Sequence, residues 1–342
     1  MSVTGSHALV ALLRAWPHPL ASRAPESEAA LEFVRAAVRH GLAGFVAHAV
    51  GQGGWALPDE AAALLRRESL SGAARALQVK ALLLKSLEVL SSAGVVPVAL
   101  KGYGLARRLY PDPLQRATRD VDLLVRRGDV ATAVRALGGL GLSVRASRDG
   151  RHAATDSHHL ELEGPAGLVE LHFRALAGWG QALEGDALMA RAVDGELEGR
   201  RLLWLRPEDE AVYLALHASH HLLQRLAWLF DLKLLAAHGL DWTRVVVEAR
   251  RTGLPHLVWY GWSVARRLMG ALVPEDALAQ MAPPPWQRLL SERFFSEARL
   301  VETRLVRSKP AWVAAKLLLA PSPSAMARYA LRRVDTLLRG PD

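Results

Sequence analysis

Residues 100–125 read LKGYGLARRLYPDPLQRATRDVDLLV, and this stretch decides the fold. Asp120 and Asp122 flank Val121 in RDVDLLV, a short apolar run that predicts a strand. Side chains at i and i+2 of a strand point to the same face. Two carboxylates set side by side repel each other and are costly to desolvate unless a cation bridges them. A hard divalent ion such as Mg²⁺ or Mn²⁺ takes carboxylates together with substrate phosphates. The spacing therefore points to phosphate-transfer chemistry.

Upstream, VVPVAL (95–100) is short and β-branched, as a buried strand should be. GLARRLYP then predicts a helix stopped by Pro111 and Pro113. Downstream, GDVATAVRALGGLG predicts a helix with Val130, Val134 and Leu137 on one face. LSVRA, HHLELEG and GLVELHF read as strands, with GPAG as a hairpin turn between the last two. The order describes a small mixed α/β unit over residues 93–175.

In the last of these strands, alternation puts Leu168, Glu170 and His172 on one face. If it neighbours the aspartate strand, three carboxylates converge. Three acids around two metals suit in-line nucleotidyl transfer, and the third can accept the proton of an incoming hydroxyl. Lys101 and Arg119 are available to neutralise phosphate charge. Gly102 and Gly104 lack a Cβ, so a phosphate can approach their backbone closely.

The flanks read as helical. Residues 1–92 are rich in Ala, Leu, Glu and Arg with apolar residues three and four apart, and residues 176–342 form a second helical region. One long amphipathic helix is expected from Glu208 through EDEAVYLALHASHHLLQRLAWLFDLKLLAAHG. On it His217, His221 and Arg225 recur every four residues and form a polar stripe suited to line a cleft. The Glu and third ligand of an HExxH zinc site are absent. Asp231 reads as a partner for Arg225 or a helix end, and His158 and His159 as structural. Trp204, Trp228, Trp242, Trp259 and Trp262 read as packing anchors.

The chain has 342 residues, enough for two or three units, and no cysteine, which excludes disulfides and thiolate chemistry. No apolar run is long enough to span a bilayer, and the N-terminus lacks the features of a secretory signal, so a cytoplasmic location without stable membrane insertion is expected. The net charge of +9 suits a polyanionic partner such as RNA. The abundance of Arg, Ala, Leu, Val and Gly fits GC-rich coding better. Residues 304–342 carry eight basic and two acidic side chains, but Pro310, Pro321 and Pro323 deny them a sustained apolar face for a membrane surface.

Three segments together resemble a known family: Lys101-Gly102 after a strand, Arg119-Asp120-Val121-Asp122, and Val169-Glu170-Leu171-His172. They look like the uncharacterised nucleotidyltransferase family of the DNA polymerase beta-like superfamily. Leu109-Tyr110-Pro111-Asp112-Pro113 extends the resemblance, as do His217, His220, Arg225, Leu226, Trp228 and Asp231. The resemblance implies an α+β (mixed α/β) fold whose core, 93–175, is a mixed sheet between helical regions 1–92 and 176–342. It implies metal-binding, catalytic roles for Asp120, Asp122 and Glu170. The nucleotide would meet Lys101, Gly102, Gly104, Arg119 and His172. An NMP group would pass from an NTP, with Mg²⁺ or Mn²⁺, to an acceptor that is a small molecule, a peptide or RNA. Most of the superfamily has Gly-Ser where this chain has Lys101-Gly102, so the usual serine hydroxyl is missing. A second reading stays open, a nucleotide-binding scaffold of the same fold with little or no catalysis.

Overall fold

The structure is a computed structural model that describes residues 5–18, 24–145, 158–178, 181–303 and 309–320, with Ser322 and Ala327. Four helices come first: α1 (Gly5–Ala15), α2 (Ser27–Arg39), α3 (Ala43–Gln52) and α4 (Asp59–Ser92). The mixed core follows as β1 (Val98–Ala99), α5 (Tyr103–Leu109), β2 (Val121–Leu124), α6 (Val130–Gly138), β3 (Ser143–Val144), β4 (His159–Gly164) and β5 (Gly167–His172). Next are β6 (Arg174–Gly178), β7 (Gln181–Glu184), α7 (Gly185–Met189), β8 (Val193–Leu197) and β9 (Arg200–Trp204). Helices α8 (Pro207–His220), α9 (Leu226–Ala237), α10 (Trp242–Arg251), α11 (Pro255–Val264), α12 (Glu275–Met281), α13 (Pro285–Phe294) and α14 (Glu297–Val301) lead to a further helix at Lys309–Leu318. The fold is mixed α+β, and among the described residues no helix is long and apolar enough to cross a membrane. Most of the basic segment 304–342 lies outside the described residues.

Seven strands form one mixed sheet in the order β3-β4-β5-β2-β1-β9-β8. Strand β2 sits in the middle with all four residues buried, antiparallel to β1 and parallel to β5. Alternation sorts its side chains. Val121 and Leu123, with Val169 and Leu171 of β5, join Leu83, Leu87 and Leu90 of α4 in one apolar cluster. Asp122 and Glu170 take the opposite face, towards the helices that close over the sheet.

Two sequence expectations need correction. Residues 176–342 are not wholly helical: β8 and β9 form a hairpin whose second strand pairs in parallel with β1, so the sheet extends beyond residue 175. Its two turn residues, Glu198 (φ 49°) and Gly199 (φ 79°), both have positive φ, as a type I′ two-residue turn requires. The dipeptide Glu-Gly signals such a turn weakly. Similarly, the long helix from Glu208 is broken into α8 and α9. Leu222 (φ 59°) and Leu223 (φ 55°) are left-handed at the break, and both are fully buried. Burial of two leucines offsets the backbone strain, and neither Gly nor Pro marks the place.

The helices on the polar side of the sheet share one core, which includes Phe33, Phe45, Tyr213 and Phe230. His40, after α2, ties this core together. Its Nε2–H donates to Val301 O at 2.8 Å, and its Nδ1 accepts from Leu226 N at 3.2 Å. The two bonds select the neutral imidazole. Burial, with Arg39 and Arg225 nearby, lowers its pKa to about 4.

Candidate active site

Strand register brings the carboxylates together. Asp122 and Glu170 are direct partners across the parallel β2–β5 pair, and Leu124 opposes His172. Asp120 ends the loop entering β2 and lines the same cleft as Lys101, Gly102, Arg119, Asp122, Glu170 and His172. This cleft, about 900 Å³, lies between the polar face of the sheet and α8, α9 and the α2–α3 turn.

Asp122 is 3% exposed. Its Oδ1 accepts from the Lys101 ammonium and lies 3.4 Å from His172 Nε2, whereas its Oδ2 is buried without a partner. Burial opposes the Asp122 carboxylate, but Lys101 and His172 outweigh it and hold its pKa well below the usual range. Asp120 shifts the other way: burial raises its pKa, and Asp122 beside it raises it further. Glu170 Oε2 is 3.8 Å from Lys101 Nζ and 3.4 Å from His172 Nε2. Burial disfavours the charged forms of Lys101 and His172, yet the neighbouring carboxylates raise both pKa values. Asp122, Glu170 and His172 offer ligand atoms within 4.8 Å of one another. A buried oxygen without a partner, in a cluster of oxygen donors open to a cleft, fits a hard divalent cation.

The structure refines several expected roles. Lys101 is committed to Asp122 and Glu170 rather than standing free for a phosphate. Gly102 has φ 70°, and a Cβ there would lie 3.2 Å from Thr118 Oγ1 and 3.5 Å from Asp120 O. Only glycine meets both demands without strain. Gly104 does not belong to the cleft. It is buried in α5, where a Cβ would sit 3.1 Å from both Ala99 Cβ and the Trp204 ring, so its smallness serves helix–sheet packing. His217 and His221 line the cleft with ring centroids 4.7 Å apart, although His221 belongs to the turn after α8. Arg225 also lines it; burial and the like charge of Arg119 depress its pKa, a setting that suits an anion.

Asp231 does not pair with Arg225. It holds Arg116 through Nε–Oδ1 (2.9 Å) and Nη2–Oδ2 (2.7 Å), and accepts from Tyr110 Oη at 2.8 Å. Burial works against the Arg116 guanidinium, but Asp231 more than restores it and raises its pKa. This buried brace joins the loop before β2 to α9.

Two cleft residues escaped sequence reasoning. Thr118 is buried, and its hydroxyl faces Gly102 and Asp120 O. Its signal was the same period of two that relates Asp120 to Asp122. Tyr213 is fully buried in α8, and its hydroxyl has no partner; the nearby carboxylates Asp122, Glu170 and Asp120 help raise its pKa, after burial itself. It precedes His217 by four residues, which placed it on the stripe.

The family described as uncharacterised nucleotidyltransferase matches residues 26–270. No curated protein matches the chain. The solution structure of the antibiotic-resistance factor ANT(2'')-Ia is similar at 18% identity, covering 53% of this chain and 97% of that one, with a TM-score of 0.38. A crystal structure of ANT(2'')-Ia with adenylyl-2''-tobramycin is similar at 15% identity, covering 50% and 94%, with a TM-score of 0.37. An antigenic nucleotidyltransferase-like protein from Paracoccidioides brasiliensis is similar at 16% identity, covering 60% and 94%, with a TM-score of 0.41.

Proposed function

The chain belongs to the uncharacterised nucleotidyltransferase family, and we propose that it moves an NMP group from an NTP to a hydroxyl or phosphate of an acceptor, releasing pyrophosphate. The observation that carries this reading is the register of Asp122 with Glu170 on adjacent parallel strands, with Asp122 Oδ2 buried and without a partner. Asp120, Asp122 and Glu170 would hold Mg²⁺ or Mn²⁺, which when bound neutralises phosphate charge and stabilises the attacking and leaving oxygens.

The remaining roles fall to the chain's own groups. Arg119 and Arg225 approach each other closely enough to repel, and a triphosphate between them relieves that repulsion. Gly102 lets the phosphates pass close to the backbone, and the Thr118 hydroxyl beside it would turn from its long bond to Asp120 O (3.4 Å) to donate in place of the missing serine. Lys101 keeps Asp122 and Glu170 from repelling each other. In the transfer, the acceptor oxygen forms a bond to the α-phosphorus and the bond to pyrophosphate breaks. Glu170, the more accessible of the paired acids, takes the acceptor proton.

The test incubates the protein with labelled NTPs, Mg²⁺ and candidate small-molecule, peptide and RNA acceptors. Transfer that vanishes in Asp120→Ala/Asp122→Ala supports the proposal; equal labelling by that variant refutes it. An RNA acceptor requires affinity that falls steeply with salt. One observation favours the scaffold reading: Lys101 already occupies the carboxylates as an internal cation. Calorimetry separates the two, because a scaffold without the metal chemistry shows no metal-dependent nucleotide affinity.

A further inference from the structure

Beside the carboxylates lies a cluster of different chemistry. His159 and His172 are direct partners across the antiparallel β4–β5 pair, so their rings share a face. His158 is held next to them, its carbonyl accepting from Phe173 N at 3.1 Å and Arg174 N at 3.2 Å. The ring centroids are 4.3 Å (158–159), 5.0 Å (159–172) and 5.6 Å (158–172) apart. Each ring offers one nitrogen, and the three lie within 4.8 Å of one another.

His172 supplies a second, independent observation. It is 3% exposed, and its Nδ1 is buried without a hydrogen-bond partner. Its Nε2 faces Asp122 Oδ1 and Glu170 Oε2, each at 3.4 Å. An imidazole that faces carboxylates through one nitrogen, with no hydrogen-bond partner at the other, has the arrangement of a metal-bound histidine with its supporting carboxylates once an ion displaces the second proton.

We propose that His158, His159 and His172 form a second cation site, distinct from the carboxylate site, that takes a borderline-soft divalent ion of the zinc class through three imidazole nitrogens. Zn–N bonds of about 2.0–2.1 Å at tetrahedral angles place ligand nitrogens roughly 3.4 Å apart, so modest ring rotations close the observed cluster. Imidazole suits such ions, whereas Mg²⁺ takes oxygen donors, and the two neighbouring sites therefore select different metals. All three histidines line the cleft. His172 links the sites: an ion on Nδ1 holds the Nε2 proton towards Asp122 and Glu170 and so fixes their orientation. The inference stands on the imidazoles and does not require nucleotidyl transfer.

The test uses the metal-free full chain and Co²⁺ as a spectroscopic probe for zinc. The expected result is one equivalent of Co²⁺ with a visible absorption band, displaced by Zn²⁺ and not by millimolar Mg²⁺. His158→Gln and His159→Gln each weaken Co²⁺ binding at least about tenfold, and Asp120→Asn leaves it unchanged. X-ray absorption of the zinc-loaded wild type, which depends on no variant, shows three nitrogen neighbours with the outer-shell scattering of imidazole. An oxygen-dominated shell overturns the proposal. So does the absence of stoichiometric Co²⁺ binding, or binding lost in Asp120→Asn and retained in both histidine variants. Each of those results leaves the carboxylate reading to be judged by its own nucleotide assay.

Discussion

Two buried charge clusters on the same side of the sheet are built differently. In the brace of Tyr110, Arg116 and Asp231, both carboxylate oxygens accept hydrogen bonds, one from a bidentate guanidinium and a phenol. In the cleft, Lys101, Asp122, Glu170 and His172 leave Asp122 Oδ2 and His172 Nδ1 buried without partners, and Tyr213 contributes a hydroxyl in the same condition. Buried polar atoms are normally satisfied, so unsatisfied ones concentrated at one cleft mark where a ligand completes the structure. The brace is finished by the chain itself; the cleft is not.

Substitution of Asp120 should separate the two most strongly. Burial and the neighbouring Asp122 already disfavour its charged form. Asp120→Asn should therefore lower transfer by at least about 10³-fold while the melting temperature stays level or rises. A parallel loss of activity and stability would place Asp120 with the brace.

Asp231→Ala should do the reverse. It strands Arg116 as an uncompensated buried charge, and urea unfolding should show a loss of about 3–5 kcal/mol. A change below 1 kcal/mol would mean that the brace does not hold the loop before β2 to α9.

The closed region also carries a pH signature. His40 is buried neutral, with its pKa lowered to about 4. Above the unfolded value of 6.5 both states are neutral and its contribution is complete. As pH falls from 6.5 to 4 the unfolded chain binds the proton first, and stability drops by up to about 3 kcal/mol. His40→Gln should flatten that slope between pH 7 and pH 5, read by urea unfolding. An unchanged slope would assign the acid sensitivity to other histidines.

The smallest expected effect is at the rim. Arg225→Ala should weaken NTP binding about tenfold without loss of stability, because Arg225 is already disfavoured by burial and by Arg119. Unaltered affinity would leave Arg119 as the rim cation on which the phosphate reading depends.

The cleft was more legible in the sequence than the frame around it. A period of two marks Asp120 and Asp122 at the start of one strand and Glu170 and His172 on another; register then makes Asp122 and Glu170 meet, and Asp120 joins them from the end of the entering loop. Lys101 and Gly102 stand next to a strand end, where local pattern suffices. Gly104 misled because glycine serves close packing as readily as phosphate approach; Trp204, which it meets, lies a hundred residues away. Asp231 was assigned a neighbour in sequence, whereas its partner Arg116 comes from a distant loop. The α8–α9 break escaped because buried leucines hold the left-handed backbone there, and the β8–β9 hairpin because Glu-Gly is a weak turn signal.

A divalent cation shared by Asp120, Asp122 and Glu170 is the centre of the proposed transfer. The most direct measurement is anomalous scattering from crystals soaked with Mn²⁺ and a non-hydrolysable NTP. The expected result is a peak within coordination distance of these carboxylates, with the triphosphate running towards Arg119 and Arg225. Nucleotide bound in the cleft with Lys101 still seated on Asp122, and no manganese at these acids, would contradict it.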